Sequence, residues 1–145
     1  MASESVWRRM LLVATGLVIG VAAILAVGVI PPMRAFWSLR GEPDMASPFL
    51  WPFVIANVLV GAALLGAMLV TRQRGCASKV LLGAAGLVAL AAGFVLLMPA
   101  LELYFYDNSR EGYTILLFAC AGGDLAAGAL AIAAVVVRPR QPPSL

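Results

Sequence analysis

Four long apolar runs divide this chain, at about 10–30, 49–71, 80–101 and 113–137, and the short stretches between them hold nearly all the charge. Each run reaches the roughly 20 residues a helix needs to cross a bilayer core. Lipid offers the backbone no hydrogen-bond partners, so each run must be helical or belong to a closed barrel. Barrel strands alternate apolar and polar residues over short segments, whereas these runs are continuously apolar. The sequence therefore predicts an all-α integral membrane protein with four transmembrane helices.

Composition agrees. Of the 145 residues 63% are hydrophobic and only 12% charged, too little polar surface to cover a soluble core of this size. The spans and their loops use up residues 1–137 as a single transmembrane domain. The proline-rich stretch at 138–145, RPRQPPSL, is expected to be a disordered cytoplasmic tail.

The basic residues set the expected orientation. Arg8 and Arg9 precede the first run, Arg72, Arg74 and Lys79 separate the second from the third, and Arg138 and Arg140 follow the fourth. The opposite side has Arg34, Arg40 and Arg110 against Glu42, Asp44, Glu102, Asp107 and Glu111. The positive-inside rule then places both termini in the cytoplasm. The basic clusters are short and lack interleaved aromatics, so the net charge of +3 orients the chain and does not predict nucleic-acid binding. Arginine in place of lysine, with abundant Ala, Gly and Val, points to a GC-rich bacterium and its cytoplasmic (inner) membrane. The first run is longer than a signal-peptide core of about 7–15 residues and ends in Ile30-Pro31-Pro32. It is read as a retained span.

Several chemistries are excluded. The chain has no histidine, which removes imidazole-ligated haem, His-type zinc sites and imidazole-based triads. It has no CxxC, and Cys76 and Cys120 fall at different depths, so neither thiol redox chemistry nor a disulfide is expected. Gly83-Ala84-Ala85-Gly86 lies within a span and is no phosphate loop. Glu102 and Asp107 read as solvated loop acids. No enzyme activity, metal site or cofactor is expected.

The loops differ. Residues 31–48 form the longest, with prolines at both ends expected to stop the helices and Gly41 with Pro43 marking a turn. Its middle, 33–40, is expected to form a short amphipathic turn on the bilayer surface. The segment 72–79 is tight and basic, which makes the second and third spans antiparallel neighbours. The segment 104–112 is short, acidic and tyrosine-rich. A shift of 67 residues lays the first two spans over the last two: Gly16 meets Gly83, Pro32 meets Pro99, Asn57 meets Asp124, and Gly61 meets Gly128. The reading is two tandem helical hairpins related by an axis along the membrane normal.

Asp124 and Asn57 stand out as an intramembrane polar pair at similar depth. A carboxylate there costs at least about 2.5–3.5 kcal/mol unless protonated, paired or hydrated, and no basic residue lies within any run. Asp124 is thus expected as a neutral acid, or hydrogen-bonded to Asn57 or to buried water. Cys120, Asp124 and Gly128 share a four-residue spacing, and Asn57 sits one turn before Gly61, so both stripes should face other helices. Gly16, Gly20, Gly61 and Gly128 are the candidate helix-packing residues. On the outer face, Arg34, Trp37, Arg40, Glu102, Tyr104 and Tyr106 form a candidate binding surface within an aromatic belt.

These features predict a small multi-pass protein whose partners are the lipid bilayer and a membrane-protein partner or a second copy of itself, as an accessory or scaffolding subunit. One alternative is a proton- or cation-coupled transporter that uses Asp124 and Asn57. Another is a lipid- or quinone-binding protein with a pocket under Trp37 and Tyr104.

Overall fold

The computed structural model describes residues 4–43, 46–69, 76–105 and 112–136. These are helical apart from a turn at 40–43. Helix α1 spans Glu4–Ile24 and passes through a π-helical segment, Leu25–Val29, directly into α2, Ile30–Leu39. Helices α3, α4 and α5 span Ala46–Leu69, Cys76–Phe105 and Gly112–Val136. Four stretches are long and apolar enough to cross a membrane: Val6–Leu39, Ser47–Leu69, Ser78–Phe105 and Gly112–Val136.

The first loop departs from expectation. Pro31 and Pro32 do not end the first helix; they occupy the first turn of α2, where their missing N–H groups are tolerated. Proline within a helix clashes with the carbonyl four residues earlier and leaves it without a donor. The chain meets this by widening. The Ile30 N–H bonds to the Leu25 carbonyl, five residues back, which opens the turn ahead of the two rings. The expected short turn at 33–40 is instead the end of a helical rod of about 54 Å from Glu4 to Leu39, at 1.5 Å per residue.

Gly41 stops the rod. Its φ of 68° is left-handed, which glycine adopts without a Cβ clash. Its N–H bonds the Ser38 carbonyl at 3.1 Å while the Glu42 N–H bonds the Trp37 carbonyl at 3.1 Å, the paired bonds of a Schellman cap. The third apolar run also continues beyond its expected end at 101. Helix α4 carries past Pro99 to Phe105, so Glu102 and Tyr104 sit on a helix and not in a loop.

The helices close into a ring of four. Helix α1 packs against α3 and α5, and α4 packs against the same two. Trp7, 3% exposed, ties the open ends together by donating from Nε1 to the Ala134 carbonyl at 3.1 Å. That carbonyl lies in the last described turn of α5.

Glycine sets the closest approach, between α4 and α5. A Cβ on Gly128 would stand 2.8 Å from the Gly86 carbonyl oxygen and 2.9 Å from the Leu90 nitrogen. A Cβ on Gly93 would stand 3.0 Å from the Ala121 carbonyl oxygen. Gly86 and Gly93 are two turns apart, as are Ala121 and Gly128, so the two helices meet backbone to backbone twice. The apolar core falls into two clusters. One, around Leu25, Leu50, Leu96 and Leu117, lies toward α2; the other, around Leu11, Leu64 and Leu82, lies toward the chain ends.

Candidate functional site

Between these two apolar clusters lies a polar layer made by Asn57 and Asp124. Asn57 sits at the middle of α3 and Asp124 at the middle of α5, about 18 Å from either end of α5 at 1.5 Å per residue. Helices α3 and α5 face each other across the bundle. The pair therefore spans its centre: Asn57 Nδ2 donates to Asp124 Oδ2 at 3.2 Å. The same nitrogen donates to the Phe53 carbonyl, one turn back, at 2.8 Å.

Small side chains make the crossing possible. Ala22, Ala89, Ala92 and Ala121 on the other helices and on α5 are all buried, and side chains so short leave room between α3 and α5. Asn57 is 2% exposed and Asp124 is fully buried. Asp124 Oδ1 has no hydrogen-bond partner among the described residues, and no lysine or arginine is buried with it. Among the described residues no group of three His, Cys, Asp or Glu side chains could hold a metal ion.

The neighbouring polar groups are engaged elsewhere. Thr15 Oγ1 donates to the Leu11 carbonyl at 2.7 Å within its own helix, the usual way a hydroxyl is satisfied in an apolar helix. The buried Cys120 thiol points to the Val21 carbonyl at 3.9 Å, a long and weak contact. Cys120 and Gly128 lie one turn to either side of Asp124, as the spacing requires.

The four glycines divide into two kinds. Gly61 approaches α1, where an added Cβ would meet Ile19 Cγ1 at 3.1 Å, and Gly128 approaches α4. Gly16 and Gly20 have nothing within 4 Å of a Cβ position and face away from the bundle. Sequence reasoning passed over Gly86 and Gly93, which make the tightest helix contact together with Gly128 and Ala121. Their seven-residue spacing, repeated on the partner helix, was the available signal.

The outer-face candidates separate into two aromatic groups. Trp37 meets Phe36 edge-on at 5.7 Å, Phe36 meets Tyr113 at 6.2 Å, and the Arg40 guanidinium lies 4.4 Å above the Phe36 ring. Tyr104 packs edge-on against Phe105 at 5.0 Å and Phe118 at 5.9 Å. Trp37 and Tyr104 are half-buried, whereas Arg34, Arg40 and Glu102 are exposed. Tyr106 lies outside the described residues, as do Arg72, Arg74, Asp107, Arg110 and the tail at 138–145.

Comparison of the chain with protein families, with curated proteins and with solved structures finds no match.

Proposed function

We propose that the chain is a non-enzymatic multi-pass protein of the bacterial cytoplasmic membrane that works by lateral association, with another membrane protein or with further copies of itself. One observation carries this reading: the outward faces of the four helices are unequal. On α3 and α4 they bear long side chains, among them Ile55, Leu59, Leu87 and Phe94. On α1 and its π-helical continuation they are mixed, with Gly16 and Ala23 exposed beside Leu12, Val13, Ile19 and Val27. On α5, between Ile115 and Val136, they are small: Ala119, Gly122, Ala126 and Ala129.

Lipid provides no hydrophobic force between helices, so association there depends on close van der Waals packing that small residues permit. A seam this poor in side chains suits another helix better than it suits acyl chains alone. The reading is tested by extraction in mild detergent followed by native mass spectrometry. A complex that dissociates on Ala126→Leu supports it, and a lone monomer for the unaltered chain ends it.

Both termini belong in the cytoplasm on this reading, from the charge distribution. The two-hairpin repeat is supported by a shared register. Asn57 and Asp124, 67 residues apart, bond to each other. Gly61 faces Ile19 and Gly128 faces Gly86, two contacts separated by the same 67 residues on both helices.

A second reading, a proton- or cation-coupled carrier, is favoured by the buried Asp124 Oδ1, which has no partner among the described residues, at the centre of the bundle. On that reading Asp124→Asn abolishes pH-dependent flux in proteoliposomes and leaves the fold intact. Unchanged flux refutes it.

A further inference from the structure

The carrier reading of Asp124 leaves the bound ion open between a proton and a metal cation, and the bonding of Asn57 decides between them. Its Nδ2 bonds both the Phe53 carbonyl and Asp124 Oδ2. Turning the amide over would set its oxygen against both of these acceptors at once, two repulsive contacts in place of two hydrogen bonds. The amide orientation therefore follows from its partners and is not an arbitrary choice of O for N.

Asp124 consequently faces an N–H and not a second oxygen. Hard cations gather six or more oxygen ligands, and an amide N–H pointed at the carboxyl repels them. Among the described residues no hydroxyl reaches Oδ1, which has no hydrogen-bond partner there. The elements around Asp124 add no competing charge: its own helix contributes the Cys120 thiol, α3 contributes Asn57 and α1 the Thr15 hydroxyl, while α4 presents alanines and Leu96. Among the described residues Asp124 is the one buried acid, and no base is buried.

We infer that Asp124 is a proton-binding site, with the proton on Oδ1 and Oδ2 held by Asn57, and that it does not take a metal cation. This rests on the carrier reading for its use, though not for its chemistry. Proton uptake makes one O–H bond on the carboxylate and release to water breaks it, with no change of oxidation state.

A helix offers such an O–H the carbonyl four residues earlier as acceptor. Asn57 bonds back to the carbonyl four residues earlier, at Phe53. The residue in the same relation to Asp124 is Cys120, whose carbonyl is the acceptor to which a protonated Oδ1 would donate a hydrogen bond.

Infrared spectroscopy of the full chain in liposomes at neutral pH tests this. The expected result is a neutral-acid carbonyl band that moves in heavy water, moves with carbon-13 aspartate labelling, and disappears in Asp124→Asn. Asn57→Ala should shift the band without removing it, and adding sodium, potassium or magnesium should leave it unchanged. If Asp124→Asn does not fold, the aspartate label and Asn57→Ala still decide the matter. The inference is overturned if no labelled acid band is present, or if any of these cations converts it to carboxylate bands. A band with no accompanying flux would remove the carrier reading and leave the proton site standing.

Discussion

Adding one methyl group at Gly128 should separate α4 from α5. The Cβ of Gly128→Ala would sit 2.7 Å from Leu90 Cγ, 2.8 Å from the Gly86 carbonyl oxygen and 2.9 Å from the Leu90 nitrogen. Two of these three atoms are backbone and cannot rotate away. Restoring an ordinary contact of 3.4 Å to the carbonyl oxygen means parting the helices by about half an ångström. A gap of that size forfeits about a quarter of the dispersion energy of each contact it opens. Overpacking of this kind costs about 1–3 kcal/mol, more than the roughly 0.5–1 kcal/mol that alanine gains over glycine in a helix interior.

Gly61→Ala meets Ile19 Cγ1 at 3.1 Å, with Ile19 Cδ1 and Val18 Cγ2 at an ordinary 3.5 Å. The Ile19 side chain can shift by a few tenths of an ångström, so the change should lie near zero. Gly16→Ala meets nothing and should be neutral or stabilising by up to about 1 kcal/mol. Reversible unfolding in dodecyl maltoside micelles titrated with sodium dodecyl sulfate gives the three values side by side. Equal effects at the three positions, or a stable Gly128→Ala, would refute the packing described for α4 and α5.

Two further predictions concern the ends of the rod formed by α1 and α2. Trp7→Phe leaves the Ala134 carbonyl without its donor and should lower stability by about 0.5–1.5 kcal/mol in the same titration; no change would mean that the indole does not tie the ends together. Replacing Pro31 and Pro32 with alanine together returns two N–H donors, and the π segment at Leu25–Val29 should relax toward regular α-helix. Carbon chemical shifts and amide exchange in bicelles should show the relaxation, and an unchanged wide turn would show that the prolines are not its cause.

Much of this architecture could be read from the residues because the bilayer is so restrictive a solvent. An apolar run near 20 residues has one economical structure, and all four runs are helices. The depth agreement of Asn57 and Asp124 was legible too, because rise per residue is constant along a helix. Their meeting was not legible from depth alone, since it depends on which helices lie diagonally opposite. The first loop misled for a local reason. Two adjacent prolines ordinarily end a helix, but at the start of a new turn, with a five-residue bond at Ile30 absorbing the misfit, they do not. The α4–α5 glycines were hidden by abundance: among 14 glycines, only contact geometry separates Gly86 and Gly93 from Gly16 and Gly20.

The polar pair at the bundle centre is best tested by a double-mutant cycle on Asn57→Ala and Asp124→Ala, read as unfolding free energy in mixed micelles. Facing residues in one hydrogen bond must show coupling, here about 0.6–2 kcal/mol for a bond between helices in an apolar setting. Additive effects of the two replacements would contradict an Asn57–Asp124 contact, and the proton site argued from it.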